Sequence, residues 1–100
     1  SSDDQILSVV SKGAIGDAFL ELNQAEEALE YYTKAANTND NQFVVPIYLM
    51  KAAQTAEILN DYKAALAFYQ RIKKDFAKSD EAREIAKHIA YAETKLANAK

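Results

Sequence analysis

The chain of 100 residues contains no cysteine, one proline and two glycines. Without cysteine it can form neither a disulfide framework nor a thiolate metal site. The scarcity of proline and glycine, with an apolar share of 49%, is typical of a packed helical chain and not of a disordered one. No apolar run approaches the roughly 20 residues of a membrane-spanning helix. We therefore expect no direct membrane insertion by this segment.

Charge is distributed unevenly along the chain. Residues 1–42 contain two basic and eight acidic residues, whereas residues 43–100 contain ten basic and seven acidic ones. A nucleic-acid binder normally has a clustered basic face, but the densest basic run here, between Arg71 and Lys78, lies at a predicted helix end, where cations complement the helix dipole. We predict no nucleic-acid partner, and a nucleic-acid adaptor stays only as a remote third hypothesis.

The spacing of apolar residues and turn formers predicts five α-helices. Ser2 is the predicted N-cap of the first helix, because Asp3 and Asp4 in its first turn suit the positive end of the helix dipole. Pro46 suits the first turn of the third. Few residues are β-branched and no stretch alternates apolar and polar residues for long, so strands are not expected. The predicted all-α fold has helices at about 3–22, 25–37, 44–59, 61–77 and 80–97.

An internal repeat appears when the sequence is shifted against itself by 37 residues. Leu22-Asn23-Gln24 then matches Leu59-Asn60-Asp61, and Ala28-Leu29 matches Ala65-Leu66. The segment Tyr31-Tyr32-Thr33-Lys34 matches Phe68-Tyr69-Gln70-Arg71. Because the matching segments span a helix, a turn and a second helix, the chain is predicted to contain two copies of a helix pair.

The pattern within each copy resembles the tetratricopeptide repeat, a family of paired helices with large and small residues at fixed spacing. The resemblance implies antiparallel helix pairs stacked as a short right-handed α-solenoid, in one domain. Repeat one would cover about 3–37, repeat two about 44–77, and a C-terminal capping helix about 80–97. The chain departs from the family in lacking the terminal proline, with Asp40 and Ala77 near those positions, and in repeating every 37 and not 34 residues.

Residues that carry this resemblance are expected to pack the helices of each pair together. A small residue at Gly16 or Ala53 would let the paired helix approach, Ala28 or Ala65 would accept the contact, and an aromatic ring would fill the space beside it. The full predicted packing set is Ile15, Gly16, Phe19, Ala28, Tyr32, Ala53, Ala56, Ala65 and Tyr69.

A narrower resemblance rests on the junction Phe76-Ala77-Lys78-Ser79-Asp80-Glu81-Ala82 and on the segments 16–19 and 46–51. These are similar to parts of bacterial cell-envelope tetratricopeptide proteins, of the Bacteroidetes kind. The resemblance implies the C-terminal part of a membrane-anchored protein, with an N-terminal anchor and one or more repeats upstream. The absence of a first methionine also indicates an excised piece of a longer protein.

No catalytic or metal-binding set is visible in the sequence. There is no cysteine, no paired histidine and no glycine-rich phosphate loop, and Glu26, Glu27 and Glu30 are typical of a solvated helix face. His88, the only histidine, would need about three more ligands to bind zinc. We therefore predict no enzyme, no metal and no cofactor, and we place His88 on the polar outer face of the capping helix with Glu81, Glu84, Tyr91 and Lys95. The opposite, buried stripe would be Ala82, Ile85, Ala86 and Ile89.

The resemblance implies that the first helix of each pair lines a concave face that binds a protein or peptide partner. On this face Ile47 and Met50 would anchor apolar groups, and Asp17, Lys51, Arg83 and Lys87 would select charge, with the basic end at the fifth helix. The carboxylate clamp of some family members is not expected, because Gly13, Asp17 and Gln54 occupy its positions. The predicted face consists of Gly13, Asp17, Leu20, Ile47, Met50, Lys51, Gln54, Arg83, Lys87 and Tyr91. Alternatively, these are ordinary surface residues of a scaffold.

The first helix carries Ile6, Leu7, Val9 and Val10 on more than one face, whereas an isolated amphipathic helix buries one stripe. Another surface should therefore cover part of it, either a preceding repeat or a second copy of the chain. The predicted function is a non-catalytic protein-interaction scaffold. The alternative is a structural module that forms homo-oligomers through the first helix.

Overall fold

The computed structural model describes residues 1–99, which form five α-helices and a short 3₁₀ helix, with no strand. The α-helices are α1 (Ser2–Glu21), α2 (Ala25–Ala36), α3 (Val45–Ile58), α4 (Tyr62–Asp75) and α5 (Ile85–Asn98), and the 3₁₀ helix is Asp80–Ala82. The all-α prediction with five helices is confirmed. Among the helices of these residues, none has both the length and the apolar character needed to cross a lipid bilayer.

Serine caps explain two of the differences between the predicted and the observed helix ends. Ser1, and not Ser2, caps α1: its Oγ accepts a hydrogen bond from the Asp4 amide at 3.4 Å, and its amino group donates to the Asp4 carboxylate. At the other end, Ser79 Oγ accepts from the Ala82 amide at 3.2 Å and starts the 3₁₀ helix. The fifth α-helix therefore begins at Ile85 and not at 80.

The turns within the two helix pairs have the same geometry. Asn23 and Asn60, which are 37 positions apart, both have φ of 60°. In each turn the next amide bonds back to the preceding helix: Gln24 N donates to Phe19 O at 2.9 Å, and Asp61 N to Ala56 O at 2.8 Å. Asparagine tolerates this left-handed backbone better than most residues. The internal repeat of the sequence thus gives two matching turns.

Replacing Asn60 with alanine is expected to lower the free energy of unfolding by about 1 kcal/mol, because a Cβ-bearing residue without a local polar group is strained at positive φ. Asn60→Gly should be neutral or slightly stabilising. Urea unfolding followed by circular dichroism measures both. Since Asn23 has the same backbone conformation, Asn23→Ala should likewise be less stable than Asn23→Gly. An Asn60→Ala variant as stable as Asn60→Gly would contradict the left-handed backbone at this residue.

Each α-helix packs chiefly against the next one along the chain. The core between them is rich in alanine, and the large buried side chains are Tyr32, Tyr69, Phe76, Leu49 and Ile72. Glycine allows the closest approaches. A Cβ at Gly13 would overlap the ring of Tyr48 from α3, and a Cβ at Gly16 would lie 2.7 Å from the ring of Tyr32. At both positions a tyrosine ring from a neighbouring helix therefore lies too close to α1 for any residue larger than glycine.

Most of the predicted packing residues lie in this core. The buried ones are Gly16, Ala28, Tyr32, Ala53, Ala56, Ala65 and Tyr69. Phe19 is half-buried and stacks on Tyr31, with the ring centroids 5.6 Å apart. Ile15 was predicted to pack as well, but its side chain is 44% exposed and lies outside the core. The packing role predicted for Ile15 is wrong, because Gly16 and not its neighbour faces α2.

The packing of α5 against α4 differs in part from the predicted stripe. Ile85 and Ala92 are buried, and Ile89 is half-buried. His88 was predicted to be on the outer face, but its imidazole stacks on the ring of Tyr69 at a centroid distance of 5.1 Å. Ala86 was predicted to be buried and is exposed. The buried side of α5 therefore consists of Ile85, Ile89 and Ala92, with His88 beside them.

Arg71 joins the two helix pairs. Its guanidinium donates from Nη2 to the carbonyl oxygen of Ala36 at 2.9 Å and from Nη1 to the side chain of Asn37 at 2.6 Å. Both acceptors belong to the C-terminal end of α2, where carbonyl groups lack partners within the helix and attract a cation. A side chain of α4 thus caps α2.

Candidate functional site

A cleft of about 550 Å³ lies between α1 and α3, with α2 beneath it. We call it the α1–α3 cleft. Its polar lining residues include Asp17, Lys51 and Gln54, which were predicted for the binding face, and Leu20 from that prediction forms part of its wall. The cleft is lined in full by Asp17, Leu20, Glu21, Tyr32, Lys51, Gln54, Thr55 and Ile58.

The polar groups at the floor of the cleft bind one another. The Tyr32 hydroxyl donates to Asp17 Oδ1, and Lys51 Nζ donates to the same oxygen at 2.9 Å. The Lys51 ammonium also lies 5.9 Å from the ring centroid of Tyr32 and 5.7 Å from that of Tyr48, within cation–π range. The Thr55 hydroxyl donates to the Lys51 carbonyl at 2.7 Å. The floor is therefore a closed network centred on the Asp17–Lys51 ion pair.

The network shifts the pKa values of its members in opposite directions. Partial burial raises the pKa of Asp17, but the hydrogen bonds from Tyr32 and Lys51 and the charge of Lys51 outweigh it and lower the pKa below its ordinary value. Burial and the Asp17 carboxylate raise the pKa of the Tyr32 phenol well above its ordinary value. At neutral pH the cleft therefore holds a carboxylate and a neutral phenol.

The rim of the cleft is exposed and differs from the floor. Glu21, the last residue of α1, is exposed and forms no ion pair within residues 1–99. Ile58, the last residue of α3, is 62% exposed. Glu21 and Ile58 are 37 positions apart, so they occupy the same place in the two copies of the repeat. The rim therefore combines one acidic and one apolar side chain.

A second cleft of about 460 Å³ lies next to the first, on the side toward α5, and the exposed side chain of Gln54 lines both. Its other lining residues are Met50, Asp80, Glu81, Arg83, Glu84 and His88. Arg83 pairs with Asp80 at 3.0 Å, and Lys87 pairs with Glu84 at 3.3 Å. The prediction of a basic end is wrong, because local carboxylates neutralise both cations and Glu81 adds a further negative charge.

Four residues of the predicted face line neither the α1–α3 cleft nor the second cleft, and the exposed Lys87 is one of them. Gly13 is buried against the ring of Tyr48 and cannot contact a partner. Ile47 lines a third cleft of about 420 Å³ beside Phe43, which shares Asp80 and Glu81 with the second cleft. Tyr91 lines none of these clefts; its ring contacts Tyr62 edge-on at 6.2 Å. Ile47 and Met50, which were predicted to anchor a partner together, therefore lie in different depressions.

The sequence predictions did not include Glu21, Ile58, Phe43 or the packed position of His88. The internal repeat offered a signal for the first two, because both follow the predicted face residues Asp17 and Gln54 by one helical turn and match each other in the alignment of the copies. No sequence signal marked Phe43, whose side chain is 79% exposed in the α2–α3 connection.

The outer face of α1 carries exposed apolar side chains. Leu7, Ile15 and Leu22 are exposed and alternate with small residues at helical spacing, on the side opposite the buried Val9 and Gly13. This arrangement agrees with the apolar character on two faces that the sequence predicts for the first helix. We call this surface the outer face of α1; it consists of Leu7, Ser11, Ala14, Ile15 and Ala18, together with Leu22, which directly follows the helix.

Within residues 1–99, no three side chains of histidine, aspartate or glutamate come close enough together to hold a metal ion. Comparison of the chain with protein-family models, with curated proteins and with solved structures gives no significant match.

Proposed function

We propose that the chain is a non-catalytic interaction scaffold that binds a protein or peptide partner through the face formed by α1, α3 and the start of α5. The observation that carries this proposal is the pair of neighbouring clefts on that face, which share Gln54 in their lining. Extended clefts lined by apolar and polar side chains are typical of surfaces that bind peptides. No nucleic-acid partner is proposed, because the carboxylates of these clefts outnumber their cations.

The proposal includes a tetratricopeptide-like architecture, with two helix pairs forming the start of a right-handed solenoid and α5 as a capping helix. Three observations support it: the matching turns at Asn23 and Asn60, the packing of each helix on the next, and the glycine contacts of α1. In such solenoids the first helices of successive pairs line one surface. The residues of the two clefts come chiefly from α1, α3 and the α5 region, as this arrangement requires.

The chemistry of the clefts also favours binding over catalysis. A general base works best with a pKa near the working pH, whereas the pKa of Asp17 is lowered and its carboxylate already accepts two hydrogen bonds. The raised pKa of Tyr32 makes the phenol a weak acid. We therefore propose that these groups position the helices and do not transfer protons to a substrate.

Selection from a phage-displayed library of random dodecapeptides tests the proposal. We expect enriched peptides to bind the parent chain and to lose binding to a variant in which the face is altered by Gln54→Trp and Ile58→Gln. The matched control is Leu22→Gln, which changes an exposed apolar residue on the outer face of α1. Enriched peptides that bind all three chains equally, or a library with no enrichment, would contradict binding through this face.

The outer face of α1 favours a second candidate function, self-assembly. Its exposed leucine and isoleucine side chains form an apolar stripe, and the exposure of such a surface to water is unfavourable. If two copies pair through this stripe, sedimentation velocity from micromolar to millimolar concentration should show a mass that rises with concentration. Leu7→Gln combined with Leu22→Gln should then return the chain to a monomer, while the Gln54 and Ile58 variant should not. A monomer at all concentrations would rule out this candidate.

A further inference from the structure

We propose that the α1–α3 cleft binds an apolar side chain from a partner segment that carries a lysine or arginine next to it. This inference rests on the proposed function of the face and specifies the chemistry of the partner. The apolar group would lie between Leu20 and Ile58, and the cationic group would lie at Glu21.

The floor of the cleft favours an apolar occupant because its polar groups already bind one another. The Tyr32 and Thr55 hydroxyls and the Lys51 ammonium all donate within the protein. Among residues 1–99, no buried side-chain nitrogen or oxygen lacks a hydrogen-bond partner. A polar ligand group would therefore have to compete with these internal hydrogen bonds for the Tyr32 and Thr55 hydroxyls and for Asp17 Oδ1. An apolar group between Leu20 and the exposed Ile58 removes apolar surface from water on both sides.

The charge of the partner follows from Glu21. The other two charged residues of the cleft, Asp17 and Lys51, neutralise each other at 2.9 Å, which leaves Glu21 as the residual charge. Glu21 also lies at the C-terminal end of α1, where the helix dipole is negative and the last turn holds no basic residue. A carboxylate at this end of a helix is placed unfavourably. A cation from a partner would relieve both the unpaired charge and its repulsion by the dipole.

The repeat shows that the turn does not require an acid at this position. Ile58 holds the same place at the end of α3, and its turn has the same geometry as that of α1. Acidic residues also exceed basic ones by eight to two in residues 1–42, which adds long-range attraction for a basic segment. An acidic segment would meet repulsion at the rim instead.

Disulfide tethering gives a direct test, because the chain contains no cysteine of its own. A Gln54→Cys variant carries its one thiol at the rim of the cleft. The variant is equilibrated under thiol–disulfide exchange with two peptides whose termini are blocked, Cys-Gly-Leu-Arg and Cys-Gly-Leu-Glu. Mass spectrometry measures the fraction of protein that captures each. We expect the arginine peptide to be captured roughly fivefold more than the glutamate peptide, from attraction and repulsion of unit charges about 5 Å apart, reduced by salt.

Two substitutions in the Gln54→Cys background identify the source of the preference. Glu21→Gln should reduce the preference for the arginine peptide severalfold, and Glu21→Lys should reduce it further or reverse it. Glu27→Gln is the matched control, because it removes one exposed carboxylate that lines none of the clefts, and it should leave the preference unchanged. Thermal unfolding verifies that each variant is folded, and Glu21→Gln should melt no lower than its parent, since it removes an unfavourable charge from the helix end.

The outcomes separate this inference from the function on which it rests. If both peptides are captured equally, or if Glu21→Gln and Glu27→Gln behave alike, the charge assignment is wrong while binding of an apolar group survives. Replacing leucine with serine in both peptides measures that binding. If the serine peptides are captured as well as the leucine peptides, the cleft takes no apolar side chain, and both this inference and the peptide-binding role of the cleft fail.

Discussion

Gly13→Ala is expected to lower the free energy of unfolding by about 1–3 kcal/mol, the usual cost of overpacking a core. At an ordinary helix position the same change would raise stability by roughly 1 kcal/mol, because alanine is the better helix former. Here the added Cβ overlaps the ring of Tyr48, whose side chain is itself almost fully buried and cannot move aside without displacing α3. The steric cost should therefore exceed the gain in helix propensity.

The control for this prediction is Ala14→Gly, the reverse change at the next position of α1. Ala14 is exposed, so its replacement should cost about 1 kcal/mol through helix propensity alone. Urea unfolding of the three chains then shows whether alanine is unfavourable only at position 13. A Gly13→Ala variant more stable than the parent would mean that α1 and α3 lie further apart than in this structure.

Asp17→Ala is expected to cost about 1–3 kcal/mol at pH 7, because it removes the acceptor of two hydrogen bonds, one of them charged. The Tyr32 hydroxyl would lose its partner, and the Lys51 ammonium would lose its counterion. Exposure of about 40% for both side chains of the ion pair favours the lower part of this range. Asp40→Ala, at an exposed residue in the α2–α3 connection, is the control and should change stability by only a few tenths of a kcal/mol.

The contribution of Asp17 should also depend on pH in a defined direction. Its pKa is lower in the folded chain than its ordinary value, so the folded state binds the proton more weakly than the unfolded state. The stabilisation is therefore present above about pH 4 and is lost as the pH falls through the folded pKa. The difference in unfolding free energy between parent and Asp17→Ala should shrink between pH 5 and pH 2, and a constant difference would contradict the role assigned to this carboxylate.

Local features of the fold follow from the sequence to a considerable extent. The apolar spacing predicts all five α-helices, and Pro46 lies in the first turn of α3 as expected. The alignment of the two copies also anticipates the pair of asparagine turns. These features depend on residues close in sequence, so spacing and turn chemistry are sufficient to predict them.

Features that depend on contacts between distant elements were not predictable in this way. Nothing near Gly13 in the sequence indicates that Tyr48 will lie over it, and this contact removes Gly13 from the binding face. The stacking of His88 on Tyr69 likewise joins residues of two different helices. Ile47 and Met50 are neighbours on α3, but Ile47 lines the cleft beside Phe43 and Met50 lines the cleft beside His88. Each difference arises from packing that the helical pattern alone does not determine.

The contacts of Arg71 with the end of α2 link the unfolding of the two helix pairs. Repeat proteins unfold according to the stability of each unit and of the interfaces between neighbours. In this chain a side chain of α4 satisfies the carbonyl of Ala36, and the ring of Tyr48 in α3 covers Gly13 in α1. When the second pair opens, the first loses a helix cap and the cover over Gly13 at once. We therefore expect the two halves of the chain to unfold in a single cooperative transition.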